Sequence, residues 1–75
     1  MRNRIRELRD AHGWTQAHLA RELNVSRQTV NALEAGRWDP SLGLAFAIAA
    51  LFDQTVEAVF DPDPATRRDG NSAGA

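Results

Sequence analysis

The chain has 75 residues, a length that allows one small domain, and it contains no cysteine, which excludes disulfides and thiolate metal sites. The formal net charge is −1, but seven arginines against four acidic residues give +3 in residues 1–38, whereas two arginines against six acidic residues give −4 in residues 39–75. No stretch approaches the roughly 20 apolar residues of a membrane span, and the arginine-rich start lacks the apolar run of a signal peptide. We therefore expect a cytoplasmic protein with no membrane role, whose first half attracts a polyanion.

The sequence predicts five helices and no strands. Helix one is expected over residues 2–11, with Ile5 and Leu8 facing inward and a glycine close after its end. Helix four is expected over residues 42–52, and a short helix five ends near Phe60. A serine or threonine is available as the N-cap of each of the last four helices: Thr15, Ser26, Ser41 and Thr55.

The most informative stretch is residues 16–34, QAHLARELNVSRQTVNALE, in which two helical patterns flank a short connection. Asn24 begins this connection, and asparagine tolerates the left-handed conformation that ends a helix abruptly. Apolar residues recur at helical spacing on both sides, so two apolar stripes face each other across a corner. The corner residues are Leu19, Ala20, Leu23, Val25, Val30 and Leu33.

The outward face of the second helix of this pair carries a guanidinium, two amides, a hydroxyl and a methyl group. Guanidinium and amide groups pair with base edges in the DNA major groove, and a methyl group can meet the methyl of thymine. A corner held only by packing would not need such a face. The residues that favour base reading are Arg27, Gln28, Thr29, Asn31 and Ala32.

This segment resembles the helix-turn-helix of the lambda-repressor and Cro-like (Xre) family. The similarity includes Thr15-Gln16 and the Glu34-Ala35-Gly36-Arg37 exit, and it extends to both flanks, so that about residues 1–60 are covered. Asn24 departs from the glycine that the family usually has at this turn. The resemblance implies an all-α, five-helix lambda-repressor-like domain over residues 1–60, with the helix-turn-helix at helices two and three.

The resemblance also implies a function. We expect a sequence-specific DNA-binding transcriptional regulator, a repressor that acts as a homodimer on a near-palindromic operator in double-stranded DNA. Arg27 and Gln28, in the first turn of helix three, are the first candidates for base reading, with Thr29, Asn31 and Ala32 as second candidates. Asn31 could instead bond the sugar-phosphate edge.

Backbone contacts are expected where helix starts and loops offer donors to phosphate. The alternatives are a capping or surface role for Gln16 and a solvated loop for Arg37. In the family a basic residue of helix one pairs with the acid that ends helix three, and Arg9 and Glu34 match that pattern. The expected phosphate contacts are Thr15, Gln16, Ser26 and Arg37.

Helix four reads LGLAFAIAALF and has no polar side chain, which predicts burial on all sides. Either helix five and the loops cover it, or a homodimer does. Trp38 could pack under the loop or present its indole N–H to the backbone, and core packing is favoured. Residues 61–75 contain no large apolar residue, so we expect a disordered polar tail. The expected dimer interface comprises Phe46, Ala47, Ala50, Val56, Val59 and Phe60.

Other classes of protein fit less well. His12 and His18 are six residues apart, not the three or four that align metal ligands on a helix, and there is no phosphate-binding glycine-rich loop. We therefore expect no enzyme activity, no metal and no cofactor. The serious alternative is an antitoxin-like or anti-regulator module that uses the same fold to bind a protein partner through helix four and the C-terminal half.

Overall fold

The computed structural model describes residues 1–61, so residues 62–75, which make up nearly all of the predicted tail, lie outside the described residues. Within residues 1–61 the five predicted helices are confirmed, and none of them has the length and hydropathy that a membrane span requires. The elements in chain order are β1 (Arg2–Asn3), α1 (Ile5–Ala11), α2 (Gln16–Leu23), α3 (Arg27–Glu34), α4 (Leu42–Leu51), α5 (Val56–Val59) and β2 (Phe60–Asp61).

The prediction of no strands was wrong, because β1 and β2 form a short antiparallel pair. Asn3 explains why α1 starts at Ile5 and not at Arg2: its side-chain Oδ1 accepts a hydrogen bond from the backbone N–H of Ile5 at 3.0 Å. Its Nδ2 donates to the carbonyl oxygen of Leu33 at 2.7 Å. A side chain bonded to its own following backbone competes with helix formation, so the first residues are free to pair with Phe60 and Asp61.

The predicted helix caps are confirmed. Thr15 and Ser26 each accept a hydrogen bond from the backbone N–H three residues later, which satisfies a donor that the first helical turn leaves free. Asn24 adopts the left-handed conformation, with φ at 57°, and the N–H of Val25 then bonds the carbonyl oxygen of Ala20 at 3.0 Å. The connection between α2 and α3 is therefore tight. Ser41 and Thr55 cap α4 and α5 in the same way.

The core lies where the five helices meet. Val59 and Phe60, which we expected at a dimer interface, belong to this core with 1% and 6% exposure, because the β1–β2 pair draws the end of α5 inward. Trp38, which we expected in the core, is 41% exposed in the loop before α4. The most deeply buried side chains are Ile5, Leu19, Leu33, Ile48, Val30 and Val59.

Helix α4 is buried on one side only. Ala45, Ile48 and Ala49 face the core. Phe46 on the other side is 58% exposed, and Ala47 and Ala50 are exposed beside it. The expectation that helix five and the loops cover this face is therefore not met within residues 1–61. Leu42, at the start of the helix, is also exposed, at 69%.

Candidate nucleic-acid interface

Helix α3 is held rigidly by α2. Val30 and Leu33 on its inner side are 0% and 1% exposed, and they pack in the same cluster as Leu19 and Ala20 of α2. The small side chain of Ala20 allows the two helices to approach closely at the corner. Inward packing of this quality leaves the opposite face of α3 fixed in direction and open to solvent.

That outer face presents Arg27, Gln28 and Asn31 as exposed side chains, whereas Thr29 and Ala32 are half-buried. Arg27, Gln28 and Asn31 line one shallow depression of about 190 Å³ together with Arg37 from the following loop. The structure therefore brings four of the predicted DNA-contacting residues together. From the described residues, the depression offers guanidinium and amide groups and no carboxylate.

The hydroxyl groups of the two capping residues are already engaged. Ser26 Oγ accepts from the N–H of Thr29 at 3.0 Å and lies 2.9 Å from the Thr29 hydroxyl. Thr15 Oγ1 accepts from the N–H of His18 at 3.0 Å. Both residues are exposed at helix starts, where the remaining backbone N–H groups and the positive end of the helix dipole favour an anion.

Arg37 is positioned by the turn that ends α3. Gly36 has φ at +72°, and its N–H and that of Arg37 bond the carbonyl oxygens of Leu33 at 3.0 Å and Ala32 at 3.1 Å. A Cβ atom at Gly36 would lie 2.8 Å from a backbone oxygen, so only glycine fits this turn. The chain therefore folds back, and Arg37 Nη2 donates to Asn31 Oδ1 at 2.8 Å.

Arg9 and Glu34 form a nearly buried ion pair between α1 and α3. Their side chains are 12% and 6% exposed; Arg9 Nε donates to Glu34 Oε2 at 2.6 Å, and Nη2 donates to Oε1 at 3.1 Å. The hydrogen bonds with Glu34 raise the pKa of the Arg9 guanidinium. Arg9 also donates to the backbone oxygen of Trp14 at 2.8 Å, which ties α1 to the start of α2.

Gln16 joins this ion pair. Its Nε2 donates to Glu34 Oε1 at 3.0 Å, so the amide that we expected at phosphate is oriented by the acid that ends α3. This contact and the one between Arg37 and Asn31 were missed by sequence reasoning. The partners are 18 and six residues apart and do not lie on one helix, so no i,i+3 or i,i+4 spacing within one helix joins them.

The distribution of ion pairs separates two sets of arginines. Arg4, the N-cap residue of α1, and Arg6 within α1 lie 2.7 Å and 3.9 Å from acidic side chains of that helix. Among the described residues, no acidic group pairs with Arg21, Arg27 or Arg37. The positive charge that remains unneutralised by a contact therefore lies on the side of α2 and α3.

The same residues carry a recognisable family pattern. A family model described as Helix-turn-helix matches residues 5–59, which span all five helices. The chain belongs to the lambda-repressor-like (Xre) helix-turn-helix family. The predicted family and all-α fold are thus confirmed.

Members of this family from archaea and bacteria are close in sequence. An uncharacterized HTH-type transcriptional regulator of Methanocaldococcus jannaschii is 48% identical over 60 residues, covering 80% of this chain and 91% of the relative. An uncharacterized HTH-type transcriptional regulator of Bacillus subtilis, YgzD, is 43% identical over 60 residues, covering 80% of this chain and 91% of the relative. The crystal structure of a hypothetical transcription factor, NHTF, from Neisseria matches with a TM-score of 0.69 and 32% identity, over 84% of this chain and 70% of that one.

Proposed function

We propose that this protein is a sequence-specific DNA-binding transcriptional regulator. The observation that carries the proposal is the outer face of α3, where exposed guanidinium and amide groups have no acidic partner within residues 1–61 and stand on a helix fixed by its buried side. Donors of this kind match the acceptors of the major groove and the phosphate backbone. Relatives named as HTH-type transcriptional regulators support it.

The roles follow from position on the helices. Arg27 and Gln28 lie in the first turn of α3, the part of a recognition helix that enters the groove, and they read bases. Thr29 and Ala32 are half-buried and make secondary contacts. Phosphate is held by the start of α2 and by the loop after α3, through Thr15, Gln16, Ser26 and Arg37.

The regulator acts as a homodimer formed by the exposed face of α4. Phe46 and Leu42 are 58% and 69% exposed, with Ala47 and Ala50 exposed beside Phe46. A contiguous apolar patch of this kind is unfavourable in water and typically marks an interaction surface. A groove of about 610 Å³ borders this face, lined mainly by apolar side chains that include Leu42, Ala45 and Val56. A second copy of the chain is the occupant we propose.

A dimer sets the two α3 helices roughly 34 Å apart, one turn of DNA, and so calls for a near-palindromic operator. Repression is the action we propose, because a dimer bound over an operator blocks other proteins without needing any further surface. The protein would work in the cytoplasm, where the DNA of its archaeal and bacterial relatives lies.

Selection of bound sites from random duplex DNA, at stated salt, tests this proposal. We expect enrichment of one near-palindromic site whose half-sites are separated by one helical turn. The matched control is the Arg27→Ala/Gln28→Ala variant, in which both changed side chains are exposed, so the fold remains and the enrichment disappears. A wild-type protein that enriches no sequence above background would overturn the proposal.

A second candidate function uses the same fold to bind another protein. The apolar groove beside α4 favours it, and Glu57, one of the residues that line the groove, would suit a partner with a basic residue. Co-expression with the product of the adjacent gene separates the two functions. A stable complex that no longer binds DNA would favour the antitoxin-like role.

A further inference from the structure

We infer that Asn31 and Arg37 form a single phosphate clamp, and that Asn31 does not read adenine. The inference rests on the proposed function. It assigns a role to Asn31 that differs from base reading, and it couples this role to Arg37. The observation behind it is the hydrogen bond from Arg37 Nη2 to Asn31 Oδ1 at 2.8 Å.

This hydrogen bond changes what Asn31 can offer to DNA. An asparagine that recognises adenine uses both ends of its amide, since Oδ1 accepts from N6 and Nδ2 donates to N7. Here one of the two lone pairs of Oδ1 already accepts from Arg37, which turns the oxygen toward the loop after α3, so Nδ2 is the end of the Asn31 amide with free donors. Arg37 has only donors. The two side chains together therefore present hydrogen-bond donors and a positive charge, which suit the oxygens of a phosphate.

The surroundings of Asn31 place the clamp on the backbone side of the interface. Asn31 lines two depressions: one with Arg27, Gln28 and Arg37, and another of about 160 Å³ with Gln16, Arg6 and Glu34 among its neighbours. The Glu34 carboxylate is already paired with Arg9. Asn31 thus bridges the base-reading first turn of α3 and the start of α2. Gln16, the phosphate candidate at that start, shares the second depression with it.

The geometry of the clamp is set before DNA binds. Gly36 closes the turn after α3, and the N–H of Arg37 bonds the carbonyl oxygen of Ala32 at 3.1 Å. The guanidinium is consequently held over α3 by the backbone and by Asn31 together. A preorganised donor pair loses less side-chain entropy when it binds than two independent side chains would.

A double-mutant cycle tests the clamp with the intact chain and the site obtained by selection. We expect Asn31→Ala and Arg37→Ala each to weaken binding by a similar factor on the selected site and on random duplex. The double variant should lose less than the product of the two single losses, by more than about twofold. Both residues are exposed, and thermal melts verify that the variants fold.

Two further variants sharpen the cycle. Gln28→Ala combined with Arg37→Ala is the matched control, because Gln28 shares the depression without bonding Arg37, and its losses should multiply. Asn31→Asp keeps an acceptor for Arg37 but replaces the donors with a negative charge. It should bind more weakly than Asn31→Ala; binding equal to wild type would overturn the clamp.

Modified DNA locates the contact. Neutral methylphosphonates placed one at a time in the selected site should reveal a phosphate at which wild type loses affinity, whereas Asn31→Ala and Arg37→Ala do not.

Sites selected by Asn31→Ala should keep the wild-type consensus. A changed preference at one base pair, or multiplicative losses in the cycle, overturns the clamp and leaves the proposed function intact. Failure of wild type to enrich any site overturns both.

Discussion

The outer faces of α3 and α4 are both exposed, but they differ in what they expose. Arg27, Gln28 and Asn31 on α3 are polar, whereas Phe46 and Ala47 on α4 are apolar. Exposed polar groups are favourably hydrated and remain available to bind DNA. Exposed apolar groups are stabilised only when something covers them. The exposed face of α3 therefore suits a polyanion, and the exposed face of α4 suits a protein surface.

The support behind the two faces also differs. The end of α3 is tied to α1 and α2 through Glu34, which bonds both Arg9 and Gln16. Within the part of the chain that the structure describes, the outer face of α4 has no comparable polar contacts, and the helix is held by Ala45, Ile48 and Ala49 on its inner side. Precise recognition of bases requires a fixed helix, whereas apolar association tolerates adjustment.

The largest expected effect comes from breaking the support of α3. Arg9→Ala leaves Glu34 buried without its partner, so we expect the free energy of unfolding to fall by about 3–5 kcal/mol. Chemical denaturation measures this loss. Arg6→Ala, which removes an exposed pair at 3.9 Å, is the control and should change stability by less than about 0.5 kcal/mol.

The double variant Arg9→Met/Glu34→Leu separates pairing from packing. It removes both charges and should recover much of the loss, because no charge is left stranded. Only the stability of this variant is compared, and not its DNA binding. Replacing Glu34 also removes the hydrogen-bond acceptor of Gln16, which is a proposed phosphate contact. Equal stability losses for Arg9→Ala and Arg6→Ala would show that the ion pair does not support α3.

The second effect concerns the face of α4. Phe46→Glu places a charge in the proposed interface, so we expect sedimentation at micromolar concentration to show a monomer. Operator affinity should fall by about a hundredfold, because binding at one half-site no longer assists binding at the other. Stability should change little, since Phe46 is 58% exposed. Ala11→Glu adds the same charge at an exposed position of α1 and should leave the dimer intact. A wild-type protein that sediments only as a monomer, with and without DNA, refutes this interface.

The third effect is confined to the base-reading part of α3. Gln28→Ala should cost about 1–3 kcal/mol of binding free energy on the selected site and relax its specificity at one base pair. Mobility shifts on the selected site and on random duplex at the same salt measure both quantities. Because Gln28 is exposed, stability should be unchanged. Equal losses on both DNAs would place Gln28 on the backbone instead.

The features that could be predicted from the sequence are local. The caps at Thr15 and Ser26, the left-handed Asn24 and the buried stripe through Val30 and Leu33 depend on neighbours within about one helical turn. Each is encoded by residue type and spacing, so the helix-turn-helix could be located before its structure was known.

The features that were missed depend on distant partners. Phe46 and Phe60 are chemically identical, yet one is exposed and the other buried, because only Phe60 lies in a strand that pairs with β1. Hydrophobicity alone cannot distinguish a core residue from an interface residue. The hydrogen bond between Arg37 and Asn31 likewise depends on the turn at Gly36, whose effect on side-chain direction is not visible in the spacing.

The smallest expected effect tests the corner that aims α3. Asn24 has φ at 57°, where a residue with a Cβ atom is strained unless its side chain compensates, and asparagine is the non-glycine residue that tolerates this conformation best. Asn24→Ala should lower the free energy of unfolding by about 1 kcal/mol. Asn24→Gly should be close to neutral, because the strain it relieves is offset by greater freedom of the unfolded chain. Operator affinity is then compared between the two variants under conditions in which both are fully folded. A loss with Asn24→Ala but not with Asn24→Gly would show that the angle between α2 and α3, and not only their packing, determines how the polar face of α3 contacts DNA.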